Sequence, residues 1–122
     1  MDDYTKENII VFKNVIEDYN IIKTRIDDLI DKGATLNDLK DFVENILKYE
    51  IENFVESEII TYMDFGCKNM TLSIYKENGE IFLGNSIEIW DDFDYLGQFS
   101  SINEIKALVN FYEEKKESVN NE

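Results

Sequence analysis

The sequence predicts an α+β fold: an N-terminal antiparallel helical hairpin, a small three- to four-stranded antiparallel sheet arranged as a meander, and a C-terminal helix. Three observations predict it. Apolar residues recur at helical spacing in the first third of the chain, they alternate with polar residues between about residues 59 and 90, and helical spacing returns after a capping signal near residue 101. The 122 residues fit a single domain, because a chain of this length can bury about two-thirds of its unfolded surface.

The first predicted helix covers about residues 5–32 and has a broad apolar face. Its apolar residues fall in neighbouring columns of spacing seven, for example Phe12, Tyr19 and Ile26. The helix is expected to end with a basic last turn at Lys32, followed by Gly33, the residue that a left-handed C-cap prefers. Because the helix is apolar around more than half of its circumference, it must be covered by the rest of the chain or in part by a second copy.

A second helix is predicted over about residues 35–57. Thr35 is its expected N-cap, and Asp38 follows three residues later in a capping-box arrangement. Since only two residues separate this helix from the first, the two should pack as an antiparallel pair. Two alternatives exist for its end: residues 59–63 either continue the helix or begin a strand.

The apolar period changes from helical to two after residue 59. Strands are predicted at residues 58–64, 70–76, 80–83 and 87–90. The dipeptide Asn78-Gly79 is the strongest short hairpin signal in the chain, because both turn positions need a positive φ. These strands should form the meander.

The last helix is predicted over about residues 102–116. Ser101-Ile-Asn-Glu104 matches a capping box and precedes it. Residues 117–122 are expected to fray at the end of the chain. With no linker and no internal repeat, the whole sequence 1–122 is interpreted as one α+β domain.

The charge balance is the most unusual bulk property. The chain has 27 acidic residues against 12 basic ones, a net charge of −15. Such a protein is repelled by nucleic acid and by anionic membranes and is attracted to basic partners. The alternative explanation is that the charge only keeps a small protein soluble.

The sequence also predicts a cytoplasmic protein that does not enter a membrane. Its longest apolar run, Ile9–Phe12, is far shorter than the roughly 20 residues of a membrane helix. The N-terminus has neither the positive start nor the apolar core of a signal peptide. A single cysteine, Cys67, excludes an internal disulfide.

No motif in the sequence indicates catalysis, a metal or a cofactor. There is no histidine, which removes Ser/His/Asp chemistry and the usual base for a Cys67 nucleophile. The segment Asp91-Asp-Phe-Asp94 with Gly97 matches three positions of a calcium loop, but Leu96 occupies the fifth position and Asn103 the twelfth, where a bidentate glutamate belongs. A metal-dependent enzyme that uses this cluster is an alternative hypothesis.

The predicted second helix carries a surplus of acids. Five glutamates, relieved only by Lys48, lie in or just after its second half: Glu44, Glu50, Glu52, Glu56 and Glu58. Acids at a helix C-terminus oppose the dipole, and the i,i+4 pair Glu52/Glu56 repels; each effect costs about 0.3–1 kcal/mol. This local cost indicates that the face meets a basic partner, although it is also compatible with a solvated face.

The sequence therefore favours a small acidic binding or inhibitor protein, not an enzyme, that occupies a basic surface of a nucleic-acid-handling protein. Its carboxylates would stand in for phosphates, a form of DNA mimicry, and the chain itself would not bind nucleic acid. Phage-encoded anti-defence proteins of the anti-CRISPR type and immunity proteins for nuclease toxins are of this kind. The expected contact residues are Glu44, Glu52, Glu56, Glu58, Asp91, Asp92 and Asp94, with Trp90, Tyr95 and Tyr49 as candidate aromatic anchors.

The alternative is a structural or adaptor protein that acts through a helical homodimer, with the acidity serving only solubility. The two hypotheses differ in their response to salt. Binding through carboxylates weakens as salt is added, whereas an apolar helical dimer resists it.

Overall fold

A six-stranded antiparallel sheet with helices against one of its faces forms the protein. The computed structural model describes the backbone of residues 4–120 and the side chains of residues 4–115. The elements are α1 (Lys6–Asp31), α2 (Leu36–Asp41), a π-helical turn (Phe42–Ile46), β1 (Glu50–Glu56), β2 (Ile60–Cys67), β3 (Met70–Glu77), β4 (Glu80–Leu83), β5 (Ile87–Asp91), β6 (Asp94–Phe99) and α3 (Ile102–Asn120). The α+β class is as predicted, but the sheet has six strands where three or four were expected.

The strand order in the sheet is β1-β2-β3-β5-β6, and β4 also pairs with β3. One part of β3 pairs with β4, between Ile74 and Glu77, and the other pairs with β5, at Met70 and Thr71. The two strands β4 and β5 therefore follow one another along the same edge of β3.

The apolar face of α1 forms the centre of the core. Phe12, Tyr19 and Ile26, one of the predicted columns, are 0%, 2% and 0% exposed. The helix contacts α3, β4 and β5. The ring of Phe12 meets Phe99 of β6 edge-on, with 5.7 Å between the ring centroids. Burial of this stripe holds α1 across the inner face of the sheet.

The second helix is much shorter than predicted, which is a correction to the helical hairpin. The α-helix ends at Asp41 and continues as a π-helical turn, in which the Leu47 amide donates to the carbonyl of Phe42 at 2.9 Å. Lys48 then adopts a φ of +61°, which takes the backbone out of the helix. Residues 50–56 form strand β1, so the predictions that Glu50, Glu52 and Glu56 oppose a helix dipole and that Glu52 and Glu56 repel at helical spacing are wrong.

A β-bulge explains why β1 resembles a helix in sequence. Ile51 and Phe54 are three residues apart, a spacing typical of one helix face. In the sheet the register shifts between Ile51 and Asn53, so that Ile51 lies opposite Phe65 and Phe54 lies opposite Met63. The extra residue brings both apolar side chains to the inner face of the strand.

The strands also continue beyond the predicted limit of residue 90. A hairpin with Asp92 and Phe93 at its turn adds β6, and a register shift between Ile89 and Trp90 disturbs the alternation that would identify this strand. At the C-terminus, α3 extends to Asn120 instead of ending near residue 116. Of the predicted frayed tail, residues 121 and 122 lie outside the described part of the chain.

The predicted Asn78-Gly79 turn and Thr35 cap are confirmed, whereas the Glu104 carboxylate accepts from Ser100 and not from the predicted cap residue Ser101. Asn78 and Gly79 have φ values of +53° and +80° in the β3–β4 turn. Thr35 caps α2 and forms a reciprocal capping box with Asp38. Among the helices that the structure describes, none combines the length and the hydrophobicity needed to span a bilayer.

Candidate functional site

The face of the sheet opposite the helices forms the candidate site and is called the open face. On β2 and β3, buried side chains alternate with partly exposed ones, which belong to this face. None of its aromatic side chains packs against the described hydrophobic core. The open face consists of Glu50, Glu52, Asn53, Val55, Tyr62, Asp64, Gly66, Thr71, Ser73, Tyr75, Phe82, Glu88, Trp90, Tyr95 and Gln98.

An aromatic row crosses the open face at one end of the strands. The strand register aligns Val55, Tyr62, Tyr75 and Phe82 on β1, β2, β3 and β4. Ring centroids of Tyr62 and Tyr75 are 5.8 Å apart, and those of Tyr75 and Phe82 are 5.6 Å apart and stacked. Val55 and Phe82 remain 39% and 40% exposed, so the row is an apolar surface available for contact.

A polar row lies next to the aromatic row. Asn53, Asp64 and Ser73 are aligned on β1, β2 and β3. The Asn53 amide donates to one carboxylate oxygen of Asp64 at 3.2 Å, and the Ser73 hydroxyl donates to the other. These two bonds hold the Asp64 carboxylate in a fixed position between the aromatic row and the acids beyond it.

An acidic row crosses the sheet two residues further along the strands. The residues aligned across neighbouring strands in this row are Glu50, Gly66, Thr71, Glu88 and Gln98. Glu52, in the bulge of β1, reaches over Gly66: a Cβ built on that glycine would lie 2.6 Å from Glu52 Oε1. The absence of a side chain at position 66 therefore makes room for the Glu52 carboxylate on the open face.

The carboxylates of this region act on one another. Partial burial raises the pKa of Glu52, and the negative charges of Asp64, Glu50 and Glu88 raise it further. A lysine at the margin, Lys68, bonds with Asp18 of α1 at 3.3 Å. A cation from a binding partner would therefore interact favourably with the carboxylates of the acidic row.

Aromatic side chains also flank the acidic row on its other side. Trp90 lies opposite Tyr95, with ring centroids 4.8 Å apart. Phe93 stands at the tip of the same hairpin and is 98% exposed. A shallow recess at this end of the face is lined by Glu52, Gly66, Lys68, Met70, Thr71, Glu88, Trp90 and Asp92.

The structure brings together only part of the predicted contact set. Glu52, Trp90 and Asp92 line the same recess. Glu56 pairs with Thr61, five residues along β2 from Gly66, which is about 17 Å at the rise of a strand. Glu58 is exposed in the turn beyond it, at the aromatic end of the sheet.

The remaining predicted residues lie apart from the recess or form its border. Glu44 is on the π-helical turn, 4.0 Å from Lys40. Asp91 and Asp94 form the last pair of the β5–β6 hairpin. Tyr49 stacks on the buried ring of Phe65 at 6.4 Å and packs against the core, so it is not an exposed anchor.

Several residues of the open face and of the adjoining hairpin tip were not predicted. They are Tyr62, Asp64, Tyr75, Phe82, Glu88 and Phe93. Alternation along β2 and β3 was a usable signal for Asp64, which lies between Met63 and Phe65. Tyr62 and Tyr75 each adjoin one inward-facing apolar residue, Met63 and Ile74. Their alignment in rows depends on strand register, which the sequence does not specify.

The described residues place Cys67 in the core and form no cluster of metal ligands. Among these residues, no group of three or more potential metal ligands is positioned to hold an ion. Cys67 is buried, and burial raises the pKa of its thiol to about 12. Compared with protein-family models, curated proteins and solved structures, the chain has no match.

Proposed function

We propose that the protein is a small acidic, non-enzymatic binding protein that covers a basic surface of a nucleic-acid-handling protein. The observation that supports this proposal is the combination on the open face of an acidic row with aromatic groups on both sides. Aromatic anchors surrounded by charged residues are typical of protein–protein contact surfaces.

Electrostatics would bring the partner to this face. With a net charge of −15, the chain attracts cationic proteins and accelerates their encounter. Nucleases and other nucleic-acid-binding proteins carry basic surfaces that bind phosphates. The carboxylates of Glu52, Asp64 and Glu88 would occupy such a surface and exclude the nucleic acid, as an inhibitor or an immunity protein does.

A pull-down at two salt concentrations tests this proposal. Tagged protein is used as bait in a lysate of the cell in which it acts, and the captured proteins are identified by mass spectrometry after washing at about 0.1 M and 1 M salt. The proposal expects a basic nuclease or nucleic-acid-binding protein that is lost in the high-salt wash. Capture of a neutral or acidic protein that resists salt would contradict it.

A homodimer through α1 is the second candidate function. Ile10 and Ile21 are 52% and 58% exposed, and residues eleven apart lie on the same side of an α-helix. Analytical ultracentrifugation over a range of protein concentrations distinguishes the two functions. An adaptor would sediment as a salt-resistant dimer, which changing Ile21→Lys dissociates, whereas a binding protein for a basic partner would sediment as a monomer in both forms.

A further inference from the structure

The open face has a residue arrangement that suits one type of basic side chain. The acidic row places Gly66 and Thr71, two small residues, on the neighbouring strands β2 and β3. The Glu52 carboxylate lies over Gly66, and Glu88 pairs with Thr71 from the other side. The carboxylates of Glu52 and Glu88 therefore border a floor formed by Gly66 and Thr71, and they lie within about two strand spacings, or 10 Å, of each other.

An aromatic ring borders the same floor. Trp90 follows Glu88 by two residues on β5 and lines the recess together with Glu52 and Glu88. The ring packs against Tyr95 at 4.8 Å, which holds it beside the carboxylates. A side chain entering the recess would meet an indole ring and two acceptor groups at once.

We propose that the open face binds an arginine-bearing segment of a basic partner protein, with a guanidinium group in the recess between Glu52, Glu88 and Trp90. This inference rests on the proposed function and names the chemistry of its partner. A guanidinium is planar, stacks on aromatic rings and donates paired hydrogen bonds to carboxylates. A lysine ammonium is a compact, strongly hydrated charge that cannot match both features.

Charge complementarity excludes a second copy of the chain as the occupant. The chain carries a net charge of −15, so two open faces repel each other. Its single arginine, Arg25, already lies over the ring of Phe42 at 5.0 Å. The guanidinium must therefore come from a different protein.

Tryptophan fluorescence tests this inference, because Trp90 is the single tryptophan of the chain and lies in the recess. The 122-residue protein is titrated with acetylated hexa-arginine amide and with acetylated hexa-lysine amide at the same salt concentration. We expect the arginine peptide to change the fluorescence and to bind at least about fivefold more tightly than the lysine peptide.

Two variants locate the binding in the recess. Gly66→Ala keeps every charge but displaces the Glu52 carboxylate, and its folding cost is small because the clash involves the end of a flexible side chain. Glu52→Gln removes one acceptor charge without adding volume. Each should weaken arginine-peptide binding at least about fivefold, whereas Glu17→Gln on α1 should leave it unchanged. Far-UV circular dichroism verifies that each variant is folded.

The outcomes separate this inference from the proposed function. Equal, salt-sensitive binding of both peptides would contradict the arginine recess and leave the attraction to basic proteins intact. Unchanged arginine binding in both Gly66→Ala and Glu52→Gln would also contradict the recess. Failure of both peptides to bind at low salt would overturn the inference and remove the electrostatic support for the proposed function as well.

Discussion

The ring of Tyr75 lies against the backbone of Gly84, so closely that a Cβ on the glycine would lie 2.6 Å from Tyr75 Cε2. The Gly84 amide donates to the carbonyl of Ser73 at 2.8 Å, which holds the segment between β4 and β5 against β3. This contact positions the central ring of the aromatic row. The position of the aromatic row therefore depends on Gly84, a residue that has no side chain.

Gly84→Ala should consequently destabilise the protein. The added methyl meets a rigid ring and, at 3.3 Å, the carbonyl oxygen of Ser73, and overpacking of this kind costs about 1–3 kcal/mol. Urea denaturation followed by circular dichroism measures the change in the free energy of unfolding. A variant as stable as the wild type would show that Tyr75 moves freely and that the aromatic row is not fixed.

Cys67 should be unreactive in the native protein. It is 1% exposed, and burial raises the pKa of its thiol from 9.0 to about 12. Because the folded pKa is the higher one, the resulting stabilisation is complete below about pH 9 and is lost as the pH rises towards 12. The reagent 5,5′-dithiobis(2-nitrobenzoic acid) at pH 8 should label the thiol only after denaturant is added. Rapid labelling of the folded protein would contradict the buried position.

Phe93 should matter for binding and not for stability. The side chain is 98% exposed at the tip of the β5–β6 hairpin, next to Asp92, whose φ is +53°. Phe93→Ser should leave the free energy of unfolding within about 0.5 kcal/mol of wild type, because no packing is lost. Affinity for the captured partner should fall about tenfold or more if the ring is an interface anchor. Calorimetry that gives the wild-type affinity for the variant would exclude that role.

The elements with a regular period were predictable from the sequence. The apolar stripe of α1, the Thr35 cap and the Asn78-Gly79 turn each follow from local chemistry, and all three are present. The strands β1 and β6 were missed because each contains or adjoins a bulge. A bulge changes the side-chain period by one residue, so β1 matched a helical pattern and β6 matched none.

The site was predictable in composition but not in arrangement. The acidic surplus and the Trp90–Tyr95 segment were visible in the sequence, and the structure places Trp90 beside Glu52. The separation of Glu56 and Glu58 from Glu52 follows from the strand conformation of β1, which spreads residues that a helix would stack. Asp64 and Glu88 enter the site through strand register alone.

The most direct test of the account compares two variants that carry the same charge. The open-face variant changes Glu52→Gln, Asp64→Asn and Glu88→Gln. The control variant changes three exposed acids of the helices and the α1 terminus: Glu17→Gln, Asp31→Asn and Glu114→Gln. Both have a net charge of −12, from −15 with three acids removed.

Affinity of each variant for the captured basic partner, measured by calorimetry at about 0.15 M salt, is the decisive measurement. The account predicts that the open-face variant binds at least about thirtyfold more weakly than wild type, since truncating a buried interfacial charge pair costs about 2 kcal/mol or more. The control variant should bind within about threefold of wild type. Equal losses in both variants would mean that net charge alone drives binding and would contradict a specific role for the open face.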